Sequence, residues 1–269
     1  MIPYIQPIFI PDENHLDINI ESIKTFGNYI KEFPFDVKCI FGGWAKTPSY
    51  WEQIVNTIEE NIDPSNIICI NQYDDNYGKA YVVMKEYKNL KDYDFDYFLT
   101  ADSDIRFPLT TPHLFERLLA IANTLESQTK KTMGFIALNQ EKSQCHLLHL
   151  LKNKYEVLNH KQEKEILLYG NKPHGIAGGC MFVGRKAWEK VDGYRVKSVY
   201  GGHDGWLLHD MWHNKYICAM AEKISIIHPP NKDQKYQKFK REMQKFNRTH
   251  KSLNKTMKNS AKFWKNRDK

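Results

Sequence analysis

The chain has 269 residues, and its 39 Lys and Arg against 32 Asp and Glu give a net charge of +7. That length suits one large α/β domain, or a domain with an appendage, and allows a sizeable core. No apolar run reaches the roughly 18 residues a membrane span needs, and the N-terminus has no basic segment followed by an apolar one, so neither a transmembrane helix nor a signal peptide is expected.

Charge is unevenly distributed. Residues 231–269 hold 14 Lys and Arg against Asp233, Glu242 and Asp268, a net of +11, while the rest of the chain carries −4. Cys39, Cys69, Cys145, Cys180 and Cys218 form an odd set without a Cys-x-x-Cys pair, mostly within apolar runs. They read as reduced core thiols of a cytoplasmic protein.

In chain order, Pro3 to Ile10 is an apolar run closed by Pro11, a first strand. Leu16 to Lys31 has helical spacing through Ile20, Ile23, Phe26 and Ile30. Asp36 to Phe41 is a second strand, ending in Gly42-Gly43. Thr47 caps a helix with Pro48 at its first position and Trp51, Ile54, Val55 and Ile58 on its apolar face. Asn66 to Ile70 is a third strand, Tyr77 to Leu90 a third helix, and Phe95 to Ala101 a fourth strand. Four alternations at short spacing predict a parallel sheet with helices packed on it. Thr111-Pro112 opens a helix to about Ser127, and Met133 to Leu138 is a strand.

Residues 139–174 give no clear element. They hold His146, His149, His160 and His174 without a Cys pair or a His-x-x-x-His helix, so scattered surface histidines are expected rather than zinc. Gly178-Gly179 leads into a strand, Cys180 to Val183, then a short helix, Arg185 to Val191, and a turn at Asp192-Gly193-Tyr194. Tyr200 to Leu208 reads as an exposed loop holding Asp204, followed by a helix to about Trp212. Tyr216 to Ala219 and Lys223 to Ile227 are the last strands, ending at His228-Pro229-Pro230. Beyond Pro230 no Gly or Pro occurs. Tyr236, Phe239, Met243, Phe246, His250, Leu253, Met257 and Trp264 fall mostly three or four apart, an apolar stripe on one long basic helix or two.

The chemistry-bearing stretch is Asp102-Ser103-Asp104, where the fourth strand leaves the core. Open α/β sheets bind ligands at that end. Two carboxylates one residue apart can hold a hard divalent cation through oxygen, and through it a diphosphate. Asp92, Asp94 and Asp96 repeat the spacing but precede the apolar run. Turn aspartates are the bland alternative for all of them.

Taken in order, Asn76-Tyr77-Gly78-Lys79, Asp102-x-Asp104, Gly178-Gly179, Gly193-Tyr194, Gly201-Gly202-His203-Asp204 and Ile226-Ile227-His228 resemble glycosyltransferases of the GT-A fold. The nearest likeness is to family 2-like enzymes and the β-1,4-galactosyltransferase type, over roughly residues 3–230. The resemblance implies a Rossmann-like mixed α/β sheet with flanking helices in a catalytic domain of residues 1–230, followed by a basic helical extension, 231–269. By position it implies Asp102 at the nucleotide-sugar, Asp104 and Asp102 at a Mn²⁺ or Mg²⁺ ion with His228 as a further ligand, and Gly178 and Gly179 along the donor sugar. Lys79 falls near the nucleotide; Asp74 and Asp75 are candidates for the base contact in place of the missing Asp-Asp-Gly-Ser, and a UDP-sugar is the first choice of donor. Asp204 matches the catalytic base, whose pKa is expected to be raised by partial burial. The implied reaction is inverting transfer of a hexosyl or pentosyl group. His203 stands where these enzymes carry Glu, and Phe41-Gly42-Gly43-Trp44 replaces their Asp-Asp-Gly-Ser.

The acceptor is open at this stage. Some bacteriophage enzymes of this kind glycosylate modified bases in DNA, and a basic tail suits a polyanion. A glycan or lipid-linked acceptor at an anionic membrane surface is the alternative. The stripe packing on the chain's own domain is a third meaning of the tail. A non-catalytic nucleic-acid-binding protein on a degenerate GT-A fold is the reading from another class.

Overall fold

The computed structural model describes residues 1–141, 146–195, 198–230 and 233–249, together with 255, 257, 258, 260 and 262. The chain opens with β1 (Ile2–Ile10), α1 (Glu13–Glu32), β2 (Val37–Ala45), α2 (Pro48–Asn61), β3 (Ile67–Gln72), α3 (Lys79–Tyr87) and β4 (Tyr97–Ala101). It continues with α4 (Leu114–Thr129), β5 (Met133–Glu141), β6 (Asn153–Leu158), β7 (Lys164–Tyr169), β8 (Cys180–Gly184) and α5 (Arg185–Lys190). The last elements are α6 (His203–His213), β9 (Ile217–Ile227) and α7 (Gln234–Thr249).

The nine strands among the described residues join one sheet in the order β3-β2-β1-β4-β8-β5-β9-β7-β6. The first four strands pair in parallel, as their alternation with helices predicts. β8 then runs antiparallel to both β4 and β5, β5 and β9 are parallel, and β7 and β6 close the edge in antiparallel fashion. The sheet is therefore mixed.

Strand side chains alternate between two buried faces. Tyr4, Phe41, Leu99 and Phe182 meet Phe26 of α1, Ile54 of α2 and Leu118 of α4. Ile5, Ile40, Phe98 and Val183 meet Val83 of α3, Trp188 of α5 and Met211 of α6. Burial on both faces explains why β4 reads as an unbroken apolar run. Each fully buried Phe or Ile of this kind stabilises the fold by about 1.5–3 kcal/mol.

Local signals set most boundaries. Asp12 caps α1 by accepting from His15 N at 3.0 Å, and Thr47 caps α2 by accepting from Tyr50 N at 3.3 Å, with Pro48 first in the helix. Four expectations need correction. α4 starts at Leu114, after His113 in a left-handed conformation (φ 55°), and not at Thr111-Pro112. Its first N–H is capped from another element, donating to Tyr29 Oη at 2.7 Å. Residues 139–174 hold the end of β5 and the hairpin β6–β7. Tyr216–Ala219 and Lys223–Ile227 belong to one strand, β9, with a register shift opposite Leu138/Asn139. Finally, His203 and Asp204 begin α6; they are not in an exposed loop.

Of the four histidines in 139–174, His149, His160 and His174 are exposed as expected. His146 is buried; its Nε2 faces Leu138 O at 3.0 Å and its Nδ1 accepts from Ala177 N at 3.1 Å. It thus pins the segment that leads into Gly178. No helix among the described residues is long and apolar enough to cross a membrane.

Candidate active site

Where β4 ends, the backbone is tied to two other strands. Asp102 N donates to Gly179 O at 2.7 Å, just before β8, and Arg106 and Ile227 exchange backbone hydrogen bonds of 2.9 and 3.0 Å at the end of β9. His228 N in turn donates to Glu141 O at 3.1 Å. These ties bring Asp104 Oδ2 within 3.2 Å of His228 Nε2, 124 residues away in the chain. The other ring nitrogen, Nδ1, is 2.9 Å from Gln140 Oε1. An amide oxygen there assigns the proton to Nδ1 and turns the Nε2 lone pair toward a carboxylate oxygen. A proton or a metal cation between Nε2 and Asp104 stabilises that arrangement. Burial pushes the Asp104 pKa up, but His228 and then Lys240 hold it below the usual carboxylate range.

Lys79 is the first residue of α3, after Gly78 at φ 78°. Its Nζ lies 2.7 Å from Asp102 Oδ1 and 3.2 Å from Asp204 Oδ1, and donates to Gly178 O at 2.6 Å. Burial disfavours the ammonium, but the two carboxylates outweigh it and raise the Lys79 pKa well above its ordinary value. The two partners respond differently. Asp102 is raised, because burial outweighs Lys79 and Asp204 and Asp104 add repulsion. For Asp204 burial also acts upward, but Lys79, His203 and the Tyr194 hydroxyl, which donates at 3.2 Å, bring it below the usual range. The raised pKa expected of Asp204 is therefore not found. Its place in the first turn of α6 also favours the anion. His203 also lines the cleft, but it is buried, with Nε2 2.9 Å from Ser198 O, and ties the turn before α6 to the start of that helix.

The glycine pair lies directly against these groups. A Cβ on Gly178 would sit 2.3 Å from Asp204 Cγ, and one on Gly179 would sit 2.9 Å from Gln140 Nε2. Asp75 Oδ1 accepts from Asn76 N at 2.7 Å, in the turn that carries Lys79. Asp75, Lys79, Asp102, Asp104, Gly178, Gly179, Asp204 and His228 all line one cleft of about 360 Å³, within the range of a small-molecule site.

The ligand set is only partly assembled. Asp104 and His228 face each other, whereas Asp102 is turned to Lys79. Among the described residues, the cluster with three donor atoms all within 4.8 Å of one another is Asp12, His15 and Asp233. There Asp12 Oδ1 lies 2.7 Å from His15 Nδ1 while capping α1. The oxygen and imidazole donors of Asp104 and His228 fit a divalent cation in chemistry and spacing.

Several lining residues were not assigned to the site from the sequence: Trp44, Gln140, Tyr200, Tyr236, Lys240 and Gln244. Gln140 is buried and its Nε2 has no hydrogen-bond partner among the described residues, so the amide offers a donor to a ligand. Tyr236, Lys240 and Gln244 come from α7. The α7 stripe packs on the chain's own body, with Phe239 and Met243 buried against Phe9 and Tyr200. The Phe246 side chain, His250, Leu253, Trp264 and Cys145 lie outside the described residues.

No protein-family profile matches the sequence, and no curated protein matches it. Among solved structures the chain is similar to S. aureus TarS 1–349, at 10% identity and a TM-score of 0.57, over 85% of this chain and 60% of that one. It is also similar to GalNAc-T7 with UDP, GalNAc and Mn²⁺, at 8% identity and a TM-score of 0.52, over 85% of this chain and 44% of that one. The chain thus spans less than two thirds of either structure. At these identities the likeness is one of fold: a mixed α/β sheet with flanking helices, the GT-A fold of glycosyltransferases.

Proposed function

We propose that the chain is a metal-dependent, inverting glycosyltransferase that moves a hexosyl or pentosyl group from a nucleotide-sugar to an acceptor hydroxyl. The observation that carries this reading is the convergence of Asp204, Lys79 and Asp102 with the Asp104–His228 pair in one cleft, against the backbone of Gly178 and Gly179. The GalNAc-T7 structure with UDP, GalNAc and Mn²⁺ supports the same donor class on the same fold.

Asp204 is held as the anion and is the group that takes the proton from the attacking acceptor hydroxyl. As the new C–O bond forms at the anomeric carbon, the bond to the diphosphate breaks and its electron pair leaves with the phosphate oxygen. Asp104 and His228, with Asp102 close by, would hold Mn²⁺ or Mg²⁺, which supplies positive charge for the departing diphosphate. Lys79 lies between Asp102 and Asp204 and favours the Asp204 anion. Gly178 and Gly179 leave room for the sugar, and the Gln140 amide has a hydrogen to offer it. Asp75 stands in the wall nearest the start of α3, in reach of a nucleotide base; a UDP-sugar is the first donor to test.

For the acceptor we favour a modified base in DNA. Lys235, Lys238, Arg241 and Lys245 lie exposed along the outer face of α7, whose inner face lines the cleft. Such a row suits a polyanion. A glycan acceptor is the second reading, and Trp206 and Trp212 favour it: both indoles are exposed on α6, the helix that begins with Asp204.

The test is turnover of a nucleotide-sugar panel with Mn²⁺ or EDTA, on wild type, Asp104→Ala and Asp204→Asn. Metal-dependent hydrolysis or transfer from one donor, lost in Asp104→Ala and reduced about 10²- to 10⁴-fold in Asp204→Asn, supports the transferase. No donor binding with metal present would move the chain to the class of non-catalytic polyanion binders. Salt-sensitive DNA affinity that disappears without 231–269 supports the DNA acceptor; liposome binding without DNA binding removes it.

A further inference from the structure

The inner face of α7 carries a charge where a helix packed on a core ordinarily carries none. Tyr236, Phe239 and Met243 recur at helical spacing and pack on Phe9 and Tyr200. Lys240 shares that face and lines the cleft between Tyr236 and Gln244. Its Nζ sits over the rings of Tyr236 at 4.6 Å and Tyr200 at 5.4 Å.

The cleft's charges make this lysine unusual. Asp75, Asp102, Asp104 and Asp204 line it, against Lys79 and Lys240. Lys79 is committed to Asp102, Asp204 and Gly178 O. Lys240 makes no ion pair within 4.0 Å among the described residues; it hydrogen-bonds the Tyr200 side chain, and its charge favours the Asp104 carboxylate. An ammonium resting on two aromatic faces, beside the carboxylate expected to hold the metal, is positioned for an anion that arrives with the ligand. A second contact links residue 260 to the turn that carries Lys79: Asn76 Nδ2 donates to the buried Ser260 Oγ at 3.2 Å.

We propose that α7 is the donor clamp of this enzyme, with Lys240 binding the diphosphate of the nucleotide-sugar. The proposal rests on the transferase reading and assigns the helix's inner face a role apart from its exposed basic face. Because the lysine and the helix move together, donor occupancy and helix docking are linked, and each strengthens the other. A nucleoside diphosphate should therefore protect residues 234–249 from proteolysis, which a nucleoside should not do.

The experiment is a binding series of uridine, UMP and UDP with Mn²⁺, and the same series for guanine, cytosine and adenine nucleotides. It is run on wild type, Lys240→Met, Lys240→Arg and, as a charge control, Lys190→Met at the exposed last residue of α5. Methionine keeps an unbranched apolar stem over the two tyrosine rings, so packing is largely preserved. Lys240→Met should weaken the preferred diphosphate about 10- to 100-fold, the loss expected for one charge-assisted hydrogen bond, and leave the nucleoside unchanged. Lys240→Arg should recover part of that loss, and Lys190→Met should match wild type. If wild type binds diphosphates and Lys240→Met binds them equally well, the clamp is wrong and the transferase stands. A loss in Lys240→Met that is equal for nucleoside and diphosphate also overturns the clamp, since it reports a distorted cleft. If wild type binds no nucleoside diphosphate of any base, the transferase reading itself fails.

Discussion

Lys79→Met removes the cation between Asp102 and Asp204. The side chains of Lys79, Asp102 and Asp204 are 18%, 33% and 35% exposed, so the group lies between a surface pair and a sealed one. Breaking a sealed pair costs about 3–5 kcal/mol and an exposed pair about 0–1 kcal/mol. We take about 2 kcal/mol here, which for a chain of this size lowers the melting temperature by about 3–4 °C. The raised Lys79 pKa fixes the pH dependence. Its contribution is fully present below the ordinary lysine value of about 10.4 and fades only as pH climbs through the higher folded value, so the deficit should be constant from about pH 6 to 9. Mn²⁺ should restore part of it, because a divalent cation replaces the missing charge among Asp102, Asp104 and Asp204. Differential scanning calorimetry with Mn²⁺ or EDTA measures both effects. A melting temperature within about 1 °C of wild type, with the same Mn²⁺ response, would refute the idea that Lys79 offsets the cleft's negative charge.

Other outcomes follow from the same geometry. Gly78→Ala forces an L-residue to φ 78° with its Cβ 2.0 Å from Val199 O, so it should destabilise the fold by about 1–3 kcal/mol in a denaturant melt. Gly178→Ala meets the Asp204 carboxylate instead, so turnover should fall at least about tenfold while the denaturation midpoint stays near wild type. Asp204 is held below the usual carboxylate range, so it loses its charge only as pH falls through that depressed value; no acid limb from this base should appear in kcat/KM above about pH 4. Burial pushes Cys69 up to about 11 and Cys218 up to about 12, and raises Cys39 and Cys180 as well. At pH 8 about one Cys69 thiol in a thousand is ionised, and mass spectrometry should find all four unalkylated by brief iodoacetamide treatment of the native protein.

The chain's local chemistry made much of this readable. β4 is apolar on both faces, so its exit at Asp102 stands out, and caps such as Thr47-Pro48 mark helix starts without help from distant residues. What stayed hidden depends on contacts between remote segments. The start of α4 is moved to Leu114 by the Tyr29 hydroxyl from α1, which no local pattern encodes. The β6–β7 hairpin carries an alternation, with Tyr155 and Val157 inward and Lys154, Glu156 and Leu158 exposed, but Lys and Glu lower its strand propensity. β9 looked like two strands because exposed Glu222 and Lys223 fall at its register shift. In the site, Asp104 and His228 were legible from their places at strand ends. That Lys79 joins Asp102 to Asp204 was not, and neither were the hydrogen bond from the Tyr194 hydroxyl to Asp204 nor the place of Gln140, whose side chain belongs to no motif.

The sheet order has a bearing on how the chain matures. β8 enters between β4 and β5 only after some 180 residues have been made, and two links across the cleft, Lys79 to Asp204 and Asp104 to His228, close loops of 125 and 124 residues. Loops of that length form late and slowly. The four parallel strands at the N-terminal side can pair among themselves while the remainder is still being synthesised. Affinity for a nucleotide would then emerge last in refolding, after the helices and the first half of the sheet, and would report the final docking event more faithfully than circular dichroism.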